Sequence, residues 1–311
     1  MQPCCARLHP VTIVALRSLQ ANDSTTMKPL FRNVRDSLRY VGKKNEDYDL
    51  LKFPDFLIIG PQRTGTTWLH ENLAYHPQVF IPWDKELHYF NNLEYPEYHP
   101  KSLPPVDKDL EWYLEKFEIP ENIRSQRMEH CQGSFHRPFA PEKYGEATAT
   151  YAAGLHEGII SDILTLNPDV KIITMVRNPI DRAWSHAKKD LCKERKRVVA
   201  DVPREEWLNF FNNEYQIKCG HYSQFLPLWE KMIPKENLMV GRFLDVSQKP
   251  RDVLRRVYHL IGIDAGDNLL PSEAAEPVNA TQAAGIPEDL LLELQKIYGE
   301  EVSGLQDQGL I

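Results

Sequence analysis

The sequence predicts an α/β fold: a three-layer, P-loop-like arrangement with a central parallel sheet between helices. Three observations lead there. FLII at 56–59 is a continuous apolar run that passes through a glycine-bounded loop into a helix-spaced segment at 65–75. KIITMV at 171–176 is a second such run, again followed by helical spacing at 180–192. Strands and helices alternate along the rest of the chain, as parallel crossovers require.

Residues 1–52 are mixed in character and end in a polar cluster at 43–49, which reads as an N-terminal extension before a domain spanning 53–311. A short helix is expected within the extension at 31–41. The helix at 65–75 stops at His76-Pro77, because proline disfavours helical geometry in the residue before it. A short apolar return follows at 79–81. WDKELHYF at 83–90 mixes acids, base and aromatics, and the stretch to about 106 is rich in proline and tyrosine, suited to an irregular pocket wall or lid.

A short helix is expected at 110–117, a loop at 132–142, a strand near 143–146 and a helix at 155–166 ended by Asn167-Pro168. Pro179 occupies a helix-start position that needs no N–H bond. A charged connection at 193–201 precedes a helix from near Pro203. Helices at 222–232 and 251–260 flank a short strand at 237–240. The chain is irregular from 262 to 284, and the last helix is expected at 287–298. No repeat or coiled-coil period is present.

At 311 residues and 42% hydrophobic composition, the chain can bury a substantial core. Its 37 basic and 44 acidic residues give a net charge of −7, no global reason to bind nucleic acid, although local cations can still hold an anion. The five cysteines, at 4, 5, 131, 192 and 219, have neither the density of a disulfide scaffold nor zinc spacing, so reduced thiols and no metal site are expected. No run approaches the roughly 18 apolar residues of a membrane span; 11–19 is short and contains Arg17. Two glycosylation patterns, Asn22-Asp23-Ser24 and Asn279-Ala280-Thr281, matter only in a secretory context, and the expected location is cytoplasmic.

The loop after the first strand carries the chemistry. Gly60, four residues, then Gly65, Thr66 and Thr67 approach Walker A spacing, but Thr66 stands where the lysine belongs and Arg63 supplies the cation instead. This disfavours an ordinary ATPase or GTPase. Phosphate or sulfate binding at the helix N-terminus is the functional reading; a tight strand-to-helix turn without ligand is the bland one.

GPQRTGTTWL resembles the first cofactor loop, and VRNPIDRAWSH the 3′-phosphate segment, of sulfotransferases that use 3′-phosphoadenosine 5′-phosphosulfate (PAPS). With looser similarity over about 53–262, the resemblance covers two thirds of the chain. It implies that Arg63, Thr64, Gly65, Thr66 and Thr67 hold the 5′-phosphosulfate, that Trp68 packs on adenine, and that Arg177 and Ser185 bind the 3′-phosphate. Core packing is the alternative for Trp68. Arg182 has a surface salt bridge as its other reading, and His186 that of a helix-face histidine.

KELHYF resembles the region of carbohydrate sulfotransferases, particularly heparan-type enzymes, where a glutamate is the catalytic base; the corresponding residue is Glu86. A solvated acid, or an ion pair with Lys85, is the alternative for Glu86. His88 is its rival as base, since the small-molecule branch uses a histidine for this proton; otherwise it lines the pocket or orients substrate, sharing a face with Glu86 if strand periodicity holds. Lys85 is left between a sulfate oxygen and Glu86. YGEATATY resembles the heparan-type segment with an acid followed by lysine, but Ala147 replaces that lysine, and Glu146 would orient substrate or brace the cofactor site. The lysine- and arginine-bearing lid of many relatives is also missing, since 262–284 holds neither residue.

The resemblance implies direct sulfuryl transfer to an oxygen or nitrogen acceptor, with Glu86, His88 and Arg63 catalytic and adenosine 3′,5′-bisphosphate (PAP) as the other product. Tyr89, Phe90, Tyr95, Tyr98 and Trp112 read as a cleft wall for a compact molecule. A small-molecule acceptor is therefore expected, with carbohydrate sulfation as the alternative and an inactive nucleotide-binding or scaffold protein as a third reading. Neither a nucleic-acid partner nor an integral membrane segment is expected, and oligomeric state is open.

Overall fold

The computed structural model describes residues 53–92, 110–271, 274 and 285–311. Five strands, all parallel, lie in the order β2-β3-β1-β4-β5. They are β1 (Phe56–Gly60), β2 (Val79–Phe80), β3 (Lys143–Ala147), β4 (Lys171–Val176) and β5 (Leu238–Arg242). Every residue of β1 is buried, which is why its sequence is apolar without alternation.

Alternate side chains of the sheet feed two apolar clusters. Leu57, Ile59 and Ile172 pack with residues of the helices Glu157–Leu166 and Tyr222–Met232. Phe56, Ile58, Ile173 and Met175 pack with the helices Thr66–Ala74 and Pro250–Ile261. Two helical layers thus enclose one sheet, the expected architecture. The strand order also places the site. From β1 the chain builds β2 and β3 on one side, then crosses to β4 on the other, so the carboxyl ends of β3, β1 and β4 form the crevice of a topological switch point.

Several elements differ from expectation. The helix Glu121–Phe135 runs into the expected loop at 132–142; its buried side is almost confined to Cys131, so no apolar stripe announced it. The segment expected as one helix at 180–192 is an α-helix, Pro179–Ala187, that widens into a π-helix, Lys188–Lys193. A separate helix, Glu214–Gly220, precedes Tyr222–Met232. The last helix continues past Tyr298 to Asp307, since Leu305 is still buried.

Cys131, Cys192 and Cys219 are buried free thiols. The expected 1–52 extension with its helix at 31–41, Tyr95 and Tyr98 of the cleft wall, and both glycosylation patterns lie outside the described residues. Among the described residues, no helix is long and apolar enough to cross a membrane.

Candidate active site

The loop after β1 is shaped by two glycines in the left-handed region, Gly60 at φ 99° and Gly65 at φ 94°. A Cβ on Gly60 would stand 2.1 Å from the Ala149 carbonyl oxygen, so only glycine lets this loop pass against the loop after β3. The Thr64 hydroxyl donates to the Pro61 carbonyl at 2.7 Å and is spent inside the loop. The helix Thr66–Ala74 then begins at Gly65 with no side-chain cap and no acidic residue in its first turn. Such an N-terminus, with amides uncapped by side chains and the positive end of the dipole, favours an anion.

The loop after β4 is tied to this one. Arg63 Nε donates to Ser185 Oγ at 3.0 Å, and Arg177 Nη1 donates to the Arg63 carbonyl at 2.9 Å. The Arg177 guanidinium lies over the Phe243 ring, 4.4 Å from its centroid, and its backbone N–H donates to the Tyr222 hydroxyl at 3.1 Å. Lys188, nearly buried one turn beyond Ser185, lies over Trp184.

Burial lowers the pKa of Arg63, Arg177 and Lys188. Arg63 lowers that of Arg177 further, and both arginines act on Lys188. Three cations held close against their mutual repulsion suit a multiply charged anion. Lys188 was not singled out from sequence, because its placement follows from the π-helical widening after Ala187, which changes the helical phase without a sequence signal. Arg182 is fully buried rather than on the surface, donating to the Gln216 carbonyl at 3.0 Å. His186 is buried too, and burial first, then Arg182, hold its pKa well below the ordinary value.

Opposite this cluster, the loop after β2 brings in Lys85, Glu86 and His88. Lys85 Nζ donates to Thr66 Oγ1 at 3.0 Å, Thr67 Oγ1 at 3.1 Å and Glu86 Oε1 at 3.0 Å. Glu86 Oε2 accepts from the Ala149 N–H at 2.8 Å, and the Glu86 N–H donates to the Ala147 carbonyl at 2.9 Å. His88 Nε2 is 3.9 Å from Glu86 Oε2, while its Nδ1 lies 3.0 Å from Thr150 Oγ1 and 3.4 Å from Asn91 Oδ1.

Strand periodicity does not bring Glu86 and His88 together. Both are left-handed, at φ 64° and 55°, and with Arg63 at φ 68° they are three of the five described non-glycine residues with positive φ. Backbone strain of that kind persists where surrounding structure enforces it, and here it gathers at one site.

Beneath this loop lies Glu146, buried and accepting hydrogen bonds from the hydroxyls of Tyr113, Thr148 at 2.5 Å and Tyr151 at 2.8 Å. Burial pushes its pKa up to about 7 against the opposing pull of those donors, and the Glu86 charge adds to the rise. Thr148 Oγ1 in turn accepts from the His88 N–H at 3.4 Å. Glu146 thus braces the loop from below.

Trp68 is 3% exposed and packs in the second apolar cluster, its indole N–H donating to the Ala274 carbonyl at 2.8 Å. The structure therefore gathers Arg63, Gly65, Thr66, Thr67, Glu86, His88, Arg177 and Ser185 around one crevice. It turns the Thr64 hydroxyl and most of Trp68 inward.

Residues 53–280 match the model of the sulfotransferase domain. Among curated relatives, the chain is 26% identical over 249 residues to bifunctional heparan sulfate N-deacetylase/N-sulfotransferase 4 of Mus musculus, covering 76% of this chain and 25% of that one. It is 29% identical over 249 residues to bifunctional heparan sulfate N-deacetylase/N-sulfotransferase 3 of Homo sapiens, with the same coverage. The chain thus spans about a quarter of the length of these relatives. Among solved structures, a sulfotransferase from Alicyclobacillus acidocaldarius shares the fold, with a TM-score of 0.56 and 23% identity over 82% of this chain and 95% of that one. A parallel sheet with a cation-lined crevice at its switch point, matched by the domain model across most of the chain, leads to one assignment: the protein belongs to the PAPS-dependent sulfotransferase family.

Proposed function

We propose that the chain transfers the sulfuryl group of PAPS to a hydroxyl or amine of a carbohydrate acceptor, with Glu86 as base. The observation that carries the assignment of the base is its placement: one Glu86 oxygen is joined through Lys85 to the threonines of the anion cradle, and the other is fixed by a backbone amide. When bound, PAPS supplies a sulfuryl group on a phosphate leaving group. Arg63, the first-turn amides and the hydroxyls of Thr66 and Thr67 hold its 5′ end, and Arg177 and Ser185 its 3′-phosphate.

Glu86 takes the acceptor proton as the acceptor oxygen or nitrogen bonds to sulfur; the electron pair of the broken S–O bond stays with PAP. Positioned cations and amides stabilise that departing charge. His88, held by Thr150 and Asn91, stands beside the base with its Nε2 3.9 Å from the Glu86 carboxylate.

The carbohydrate reading replaces the small-molecule expectation. Tyr89 and Phe90 do not line a cleft: they are 2% and 1% exposed and belong to the core cluster, against which Trp112 also packs. Trp83, by contrast, is 78% exposed and three residues before Glu86, a flat apolar surface of the kind a sugar face covers. The N-sulfotransferase names of the curated relatives support the same acceptor class.

The test is sulfonate incorporation, read by mass, into a partly N-deacetylated, unsulfated glycosaminoglycan and into a panel of phenols and alcohols. Incorporation into the sugar is expected, with Glu86→Gln lowering kcat about 100-fold or more at unchanged PAP affinity, and His88→Asn lowering it less. Sulfation of the small molecules alone would overturn the acceptor, and a larger loss for His88→Asn would overturn the base.

A further inference from the structure

We infer that Arg182 is a buried counter-charge for the 3′-phosphate of the nucleotide: without touching it, the guanidinium raises affinity for that group and lowers the stability of the nucleotide-free protein. Arg182 is fully buried. Its Nη2 donates to the Gln216 carbonyl at 3.0 Å, an oxygen that also accepts from the Tyr298 hydroxyl at 2.9 Å. Nε and Nη1 have no partner, and among the described residues no carboxylate pairs with the guanidinium. Burial raises the pKa of Cys219, Tyr222 and Tyr298 and keeps them uncharged, while the Arg182 charge pulls each the other way. A charge enclosed by neutral groups destabilises a fold until an opposite charge comes within reach.

The proposed 3′ clamp is within that reach. Arg182 lies three residues before Ser185 on the helix Pro179–Ala187, a spacing that puts the two on neighbouring positions of one face. Tyr222, which feels the Arg182 charge, accepts the Arg177 N–H at 3.1 Å. Burial lowers the pKa of Arg177 and Arg182 adds to the fall, so the field of one guanidinium acts at the other. Acids act on the other two arginines against the effect of burial, Asp190 on Arg63 and Asp181 on Arg177. Arg182 has no paired acid among the described residues, so its charge remains for a ligand to offset. A doubly charged phosphate gains most, because a buried charge is only weakly screened. Packing does not account for the residue: an apolar chain would fill the same enclosure and leave no polar atom over.

The inference rests on the 3′-phosphate half of the proposed function and is independent of the acceptor and the base. Its test uses Arg182→Met, Arg182→Gln and Arg182→Lys. Dissociation constants for PAP and for adenosine 5′-monophosphate, which lacks the 3′-phosphate, are measured by calorimetry, and urea unfolding is followed without nucleotide. The methionine and glutamine variants are expected to weaken PAP about three- to tenfold and the monophosphate much less, with lysine closer to the parent than glutamine. Without nucleotide, the methionine variant is expected to unfold at the same urea concentration as the parent or a higher one. Combined with Arg177→Met, Arg182→Met is expected to lower PAP affinity by a further factor of about three, since its charge acts on the phosphate and not by holding Arg177.

An unchanged ratio of PAP to monophosphate affinity in the methionine and glutamine variants overturns the inference, as does an equal loss for both nucleotides. So does failure of these variants to fold, or earlier unfolding of both, which would make Arg182 a structural residue. Arg177→Met in the same assay separates the two readings. If it lowers the ratio and the Arg182 variants do not, Arg182 alone is removed; if it leaves the ratio unchanged, the placement of the 3′-phosphate falls.

Discussion

Replacing Glu146 by glutamine removes a stability gradient whose sign the structure fixes. In the folded protein burial holds this carboxyl near a pKa of about 7, against 4.5 for an ordinary glutamate. Between those values the folded state binds the proton that the unfolded state has released, so stability is fully present below 4.5 and is lost as pH rises through 7. Taking 1.36 kcal/mol per pKa unit, the loss amounts to about 3 kcal/mol. Glutamine keeps an oxygen for Thr148 and Tyr151 and places an amide donor toward Tyr113, imitating the protonated acid at every pH.

His76 works in the opposite sense. Burial holds it at about 4, and its stabilising contribution is lost as pH falls from 6.5 through that value. In the parent the two gradients largely offset each other between pH 4.5 and 6.5. Urea unfolding of parent and Glu146→Gln at pH 5, 6, 7 and 8 is the assay, with every other titration cancelling in the difference. The variant is expected to gain about 2.5 kcal/mol on the parent between the ends of the series. A difference that stays constant with pH would refute the placement of an ionisable proton on this buried residue.

Arg177→Met is expected to weaken PAP binding about 10- to 150-fold, the worth of a charge-assisted contact, and adenosine 5′-monophosphate binding much less; competition binding with the two nucleotides checks it, and equal losses for both would move the 3′-phosphate elsewhere. Gly60→Ala is expected to destabilise the fold by about 2–4 kcal/mol, because its Cβ would collide with the Ala149 carbonyl at a left-handed φ; thermal and urea unfolding measure this, and a loss below about 1 kcal/mol would show that the two loops can part.

What was legible in the sequence was what burial writes into it. β1 and β4 are continuous apolar runs because both faces of a parallel strand are covered, and the loop between Gly60 and Thr67 has the spacing of an anion cradle. Tyr222–Met232 was legible to the residue despite Pro227 inside it. The helix Glu121–Phe135 was not, since a mostly exposed helix carries little periodicity. The approach of Lys85 to Thr66 and of Arg63 to Ser185 depends on which strands are neighbours, and local spacing does not specify that. The aromatic cluster after Glu86 misled for a related reason: Tyr89 and Phe90 are core residues beside an active loop.

The tether between Arg63, Ser185 and Arg177 has a consequence for how the nucleotide is read. A single side chain and its own carbonyl connect the loop after β1 to the loop after β4, the two proposed clamps. On the proposed function, a ligand that draws Arg63 toward one clamp redistributes the partners of the second, and the contributions of the two phosphates to affinity are expected not to simply sum. A nucleotide carrying only one of them would then meet a half-assembled receptor, a discrimination that needs no contact built against it.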